Sequence, residues 1–350
     1  MTPEEKLQQQ FEYVSAQSIA TLTKKSYEQW GDPVKNRETL VPYGYAEIDR
    51  AIWGIAPQEF VLIQGPEKGR KSTFVHNVIK HINQRKQLVR KPVIVMDILE
   101  SSSGPAQVKD TLLCMVASEY IMSKGHRSNG FCTVCGDDVC HELQLSSRGI
   151  QYMQQSNLQR NALAYAISEV ANWTVYLFGP GMSEGNTRNL DDSLRRWAWM
   201  IENLGATMFI TDHIQQYYSG RTMTDYEKQQ WVIPALSTFV GQYKTSLLAL
   251  SQLSLGTRIA NKDGGRMYAT GGAQGAAEAN TVIQTAYDED HPTEVGISIV
   301  ESRYSGKLTI YSPIDPTSGL TYGKTSFESI HTERPQSEAE KKNKDLPYGN

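Results

Sequence analysis

Long apolar runs are missing from this 350-residue chain, and its mean hydropathy is −0.46. No stretch approaches the ~20 consecutive apolar residues that a membrane-spanning helix needs. The first residues, Met1-Thr2-Pro3-Glu4-Glu5-Lys6, lack the basic-then-apolar pattern of a secretory signal. Together these absences lead to the expectation of a soluble, cytoplasmic protein. An excess of positive charge is also lacking. There are 35 Lys and Arg against 38 Asp and Glu, a formal net charge of −3. A nucleic-acid partner would have to be held by local basic patches, not by overall charge. Cysteine is scarce, four in all, and three of the four fall within nine residues. That clustering favours a metal site in a reducing compartment over a disulfide framework. No internal repeat is present.

What the chain does have is a strand–loop–helix signature at Val61-Leu62-Ile63-Gln64-Gly65-Pro66-Glu67-Lys68-Gly69-Arg70-Lys71-Ser72-Thr73. An apolar strand enters a turn, and a helical stripe follows through Phe74, Val75, Val78 and Ile79. This is the context of a P-loop. Its backbone N–H groups and the helix N-terminus suit a polyphosphate. Lys71 would reach the β- and γ-phosphates, and Ser72 would hold Mg²⁺. The pattern G-x-x-x-x-G-K-[ST] is broken once: Arg70 stands at the second Gly, with Gly69 one place early. The alternative is an ordinary turn into a buried helix.

Strands and helices alternate along the rest of the chain, which predicts an α/β fold with a mainly parallel sheet. Residues 1–40 read as a polar helix and connector, 41–325 as the core, and 326–350 as a charged, disordered tail. Within the core, helices are expected at about 150–171 and 229–243. Strands are expected at Pro92–Glu100, Thr174–Phe178, Thr207–Thr211, Ser246–Leu250, Thr281–Ala286 and Gly296–Val300, with a hairpin-like stretch at 308–322. Ligands in open α/β sheets bind at the carboxyl ends of strands, and polar groups stand there. Asp212 fits a carboxylate that anchors Mg²⁺, Glu100 a general base for water, and Gln252 a sensor of the γ-phosphate. Singly, each is an ordinary loop residue; their order after a P-loop gives the set its weight.

With these residues in place, the chain resembles the DnaB-type replicative helicases, RecA-like hexameric ATPases. Ile98-Leu99-Glu100 is similar to that family's Leu-Glu strand end, and Val116-Ala117-Ser118-Glu119 to the helix after it. Ile210-Thr211-Asp212-His213-Ile214-Gln215 is similar to its Walker B segment. Leu250-Ser251-Gln252-Leu253-Ser254 matches its Leu-Ser-Gln-Leu segment, and Glu278-Ala279-Asn280-Thr281-Val282 resembles its Asp-Ala-Asp-hydrophobic run. Ser302-Arg303-Tyr304-Ser305-Gly306 resembles its Lys-x-Arg-x-Gly segment, which implies that Arg303 is an arginine finger acting across a subunit interface. The resemblance spans about residues 40–325. Arg70, Glu301 and Ala277 depart from it. The family implies ATP and Mg²⁺, a homo-oligomeric and usually hexameric ring, single-stranded DNA, and a primase or helicase loader as partner. It also implies that the loops after the Asp212 and Gln252 strands face DNA. Those loops carry Tyr217, Tyr218, Arg221, Lys228, Arg258, Lys262 and Arg266, suited to phosphates and to stacking on bases. The plain alternative is solvated loop charge. Two other functions stay open. The Gly65-Pro66-x-Lys68-x-x-Lys71-Ser72 loop also resembles that of phage-type RecA recombinases, and Arg70 admits a nucleotide-binding scaffold without turnover.

The cysteines read as Cys132-x₂-Cys135-x₄-Cys140-His141 in a polar insertion at about 124–142, with His126 upstream. Zn²⁺ wants four Cys or His ligands in a tetrahedron. His126 is the preferred fourth ligand, because the adjacent Cys140 and His141 seldom point at one metal. The alternative is a group of free thiols. Cys114, on an apolar helix face, reads as core.

Overall fold

Phe60–Gly65 (β1) is the centre of the sheet, and all six of its residues are buried. The structure, a computed structural model, describes residues 40–86, 88, 91–100, 104–127, 132–137, 140–152, 154–179, 188–218, 224–253, 278–287, 292–322 and 326–328. Its helices are α1 (Ala46–Ile52), α2 (Lys71–Gln84), α3 (Pro105–Ser123), α4 (Gly149–Tyr152), α5 (Asn157–Val170), α6 (Leu190–Leu204) and α7 (Asp225–Tyr243). The further strands are β2 (Val93–Ile98), β3 (Val175–Phe178), β4 (Ala206–Asp212), β5 (Ser246–Gln252), β6 (Thr281–Ala286), β7 (Glu294–Ser302), β8 (Leu308–Pro313) and β9 (Ser326–Glu328). They form one sheet in the order β3-β2-β4-β5-β1-β6-β7-β8-β9. Pairings from β3 to β6 are parallel, and the last three strands add antiparallel pairs. The expected α/β fold with a mainly parallel sheet is therefore present.

Parallel strands covered on both faces need apolar residues in both directions, and the chain supplies them at a period of two. Val61 and Ile63 of β1, Met96 of β2 and Leu248 and Leu250 of β5 point into one core with α1 and α2. Phe60 and Leu62, Val95, Leu247 and Ala249 point into the other, against α6 and α7. A third, smaller cluster joins α3 and α5 through Val116, Ala117, Ile121, Ala162 and Ala166.

The helix expected at 150–171 is two helices. Ser156 interrupts it because its hydroxyl accepts the Gln159 N–H while the Gln159 side chain accepts the Ser156 N–H, a reciprocal cap that starts α5. β7 runs longer than expected, from Glu294 to Ser302. Among the described residues no helix is long and apolar enough to cross a membrane. The expected amino-terminal helix, nearly all of the connector after it and most of the expected tail lie outside the described residues.

Candidate nucleotide site

The carboxyl ends of β1, β2, β4, β5 and β6 open on one cleft of about 1140 Å³. The sheet register sets them level: Gly65 lies opposite Gln252, and Ile98 opposite Asp212. The segment Pro66–Thr73 forms the floor of the cleft, and Glu100, Asp212, His213, Gln252 and Tyr287 line it.

The loop is shaped by local sterics. A Cβ at Gly69 would stand 2.7 Å from Pro66 Cδ, so only glycine fits there. Gly69 N–H donates to Pro66 O at 2.9 Å and tightens the turn. Arg70 takes the left-handed conformation itself (φ 63), as does Lys68 (φ 58). The departure from the motif thus keeps the loop's backbone form at the cost of some strain. The Arg70 guanidinium stacks over the Tyr287 ring at 4.4 Å. Behind Arg70, α2 begins at Lys71, with its N-terminus at the cleft. Lys71 is buried, and Nζ donates to the carbonyls of Gly65 (3.0 Å) and Pro66 (2.8 Å).

Ser72 Oγ donates to Asp212 Oδ2 at 2.5 Å. The Asp212 carboxyl is raised to about 6: burial is the main cause and Glu100 adds to it, while Ser72 and Lys71 oppose it. Glu100, two residues past β2, is half-exposed, with Oε1 3.1 Å from His213 Nδ1. Asp97, the other acid of that strand, lies elsewhere: it is fully buried and accepts Arg196 Nη2 at 2.6 Å. Gln252 meets Gln215, which donates to Gln252 O (3.0 Å) and Ser251 Oγ (2.9 Å) and accepts the Gln252 N–H at 3.2 Å. Sequence reasoning missed His213 and Tyr287. Their strand-end positions, directly after Asp212 and Ala286, were the available signal.

Arg303 stands outside this cleft. Ser302 pairs with Thr281, and Thr281 with Val61, so Arg303 sits at the amino end of the sheet. The length of β1, roughly 20 Å, separates it from its own P-loop. It is exposed, and its N–H donates to Asn280 O at 3.0 Å.

One expected DNA contact is corrected. Tyr217 is 1% exposed, because the short 3₁₀ turn Ile214–Gln216 folds the chain back over β4. Its hydroxyl accepts from Thr211 Oγ1 at 3.1 Å, and its ring belongs to the core. Tyr218 points outward at 53% exposure, and Lys228 Nζ reaches Gln215 O at 3.5 Å. Arg221, Arg258, Lys262 and Arg266 lie outside the described residues. His126, Cys132, Cys135 and Cys140 meet at a second place, beyond the end of α3, with ligand atoms all within 4.8 Å of one another. His141 turns away from them, exposed and 3.8 Å from Asp137. Cys114 is buried in the third core cluster.

No protein-family model matches the chain, and no curated protein matches it by sequence. Solved structures do match. The ATPase domain of one DnaB-like replicative helicase superposes with a TM-score of 0.68 at 16% identity, covering 87% of this chain and 98% of that one. A second DnaB-like replicative helicase, described with its interactions with primase, superposes at 0.66 and 16% identity, covering 87% of this chain and 66% of that one. The chain therefore has the RecA-like fold of the DnaB-like replicative helicase ATPase domains.

Proposed function

We propose that this chain is an ATP-driven motor of the DnaB-like type, hydrolysing ATP to translocate on single-stranded DNA in replication. One observation carries the reading. Lys71, the Ser72–Asp212 pair, Glu100 and Gln252 converge on one cleft, in a fold shared with helicase ATPase domains. The loop N–H groups and the α2 N-terminus hold the phosphates. Lys71 balances their charge from inside the loop. Ser72 and Asp212 offer oxygen ligands side by side, which suits a hard divalent cation. Mg²⁺ bound there would neutralise phosphate charge. Glu100 accepts the proton of the attacking water, and His213 holds its carboxylate at the cleft.

Gln252 faces the nucleotide, and its backbone is tied to Gln215, three residues before Tyr218. That tie gives the nucleotide a short route to the loops proposed to contact DNA through Tyr218, Arg221, Lys228, Arg258, Lys262 and Arg266. Arg303, remote from its own P-loop, serves the ATP of a neighbouring copy in a hexameric ring. A primase or loader as partner and a cytoplasmic location follow by analogy with such helicases.

Purified protein should hydrolyse ATP in a DNA-stimulated manner and displace a strand from a forked duplex. Lys71→Ala should abolish hydrolysis; retained turnover refutes the P-loop assignment. Electron microscopy with ATP and single-stranded DNA should show closed rings. Filaments without strand displacement would instead identify a recombinase. ATP binding with no turnover under any DNA condition would leave the scaffold.

A further inference from the structure

Four of the six distances among the ligand atoms beyond α3 are close to the edges of a metal tetrahedron, and all six are within 4.8 Å. His126 Nδ1 lies 3.4 Å from Cys135 Sγ, 3.4 Å from Cys140 Sγ and 3.9 Å from Cys132 Sγ, and the Sγ atoms of Cys135 and Cys140 are 3.4 Å apart. Bonds of about 2.3 Å to sulfur and 2.0–2.1 Å to nitrogen imply tetrahedron edges of roughly 3.5–3.8 Å. We propose that His126, Cys132, Cys135 and Cys140 bind one Zn²⁺ as a closed structural site that fastens the segment 124–145 onto α3 and α5.

The backbone around the ligands is built for this. Cys132 N–H donates to Asp137 O at 2.8 Å, and Gly136 N–H to Cys132 O at 2.7 Å. The resulting turn, closed by Gly136 at φ +78, brings the two sulfurs of the Cys-x₂-Cys pair to the same point. Gly125, at φ +93, turns the chain off α3 so that His126 comes back toward them. Cys140 then opens the 3₁₀ turn His141–Leu143. The far side is docked: Gln159 Nε2 donates to the carbonyls of His141 and Glu142, both at 3.2 Å, and Leu143 and Leu145 are buried against α3 and α5.

Zinc fits better than the other occupants. All four positions are filled by protein, so no site is open for a substrate. The ligand atoms lie within 4.8 Å of one another, too tight to span a cluster of two or more irons. A Cys135–Cys140 disulfide would need sulfurs near 2.0 Å, and all four cysteines are free thiols. Among the described residues of the segment, only Leu143 and Leu145 are buried besides the ligands, and small loops of that kind need a staple to stay folded. The site also stands apart from the nucleotide cleft. α3 starts near the carboxyl end of β2, and its 19 residues carry the chain about 28 Å away.

The full chain, expressed and purified without chelator under reducing conditions, should contain about one zinc per polypeptide by elemental analysis. Titrating its thiols with an organomercurial should release that zinc. Cys135→Ser should lose most of it, and Cys114→Ser, altering the one cysteine outside the site, should keep it. Should Cys135→Ser fail to fold, Co²⁺ exchanged into the wild type decides. Intense tetrahedral thiolate bands uphold the site; a pale octahedral spectrum overturns it. Metal-stripped protein should be cut by protease within 124–145 where the loaded protein resists. The proposal is overturned by protein that contains no zinc and takes up none from added Zn²⁺, by iron in place of zinc, or by a disulfide among these cysteines.

Discussion

Asp212 is 9% exposed, and burial is the main reason its pKa rises to about 6 from an ordinary 3.8. The unfolded chain ionises this group near pH 4, and the folded chain only near 6. Ionised Asp212 therefore opposes folding at pH 7, and the penalty fades as pH falls from about 6 towards 4. In nucleotide-free, Mg²⁺-free buffer, Asp212→Asn should melt higher than the wild type at pH 7, with the gap closing by pH 4. Equal melting at pH 7 would contradict it. The acids of the second strand separate in the same way. Glu100→Gln should leave nucleotide binding intact and remove turnover, since only proton acceptance is lost. Asp97→Asn should preserve turnover per folded molecule but cost stability, on the order of 2–3 kcal/mol, because it leaves the Arg196 charge without its partner. Turnover lost in Asp97→Asn and kept in Glu100→Gln would reverse the assignment.

At the scale of elements, the P-loop helix is held by its neighbours as much as by its own sequence. Lys80 of α2 is buried and pairs with Glu119 of α3 at 2.8 Å, so the helix after the nucleotide loop and the helix after Glu100 lean on each other. Asn77 of α2 donates to Gly319 O and accepts the Thr321 N–H, which ties α2 to the chain beyond β8. Its outer face meets the turn before α1. Tyr43 and Gly44 N–H groups donate there to Asp49, and Gly44 sits at φ +89. A Cβ on Gly44 would fall 2.2 Å from the His81 ring. Gly44→Ala should therefore combine backbone strain with overpacking, about 2–4 kcal/mol in all. Thermal melting should show a fall of several degrees. An unchanged midpoint would mean that this contact relaxes freely.

At the scale of the whole molecule, the sheet puts the P-loop and Arg303 at opposite ends. One protomer therefore presents a site on one side and a guanidinium on the other, the arrangement a ring or filament needs if each subunit is to complete its neighbour's site. Arg303→Ala should lower turnover roughly 10³-fold or more while each protomer still binds nucleotide. Mixing is the sharper measurement. Arg303→Ala subunits keep a good P-loop, and Lys71→Ala subunits keep a good guanidinium. Mixed assemblies should recover ATPase that neither variant shows alone. Exchange of subunits without recovery at any ratio would remove the role in trans, as would normal turnover by Arg303→Ala alone.

The chain's own order of residues was enough for the α/β class, the strand–loop–helix around Gly65–Thr73 and the strand ends at Glu100, Asp212 and Gln252. Those signals are local: a period-two apolar strand, a turn and a polar residue follow one another in sequence. The gathering of three cysteines was legible for the same reason. Tertiary structure decided everything that depends on which strands are neighbours. Tyr217 and Tyr218 are adjacent and chemically alike, yet one is core and the other exposed, because a 3₁₀ turn folds the first back onto Thr211. His213 and Tyr287 reach the cleft only because β4 and β6 end level with β1. Asp97 and Glu100 are three residues apart, and only the packing of α6 against the sheet gives the first to Arg196 and leaves the second at the cleft. Sequence states what each strand carries to its end, whereas contacts between distant segments set which ends meet.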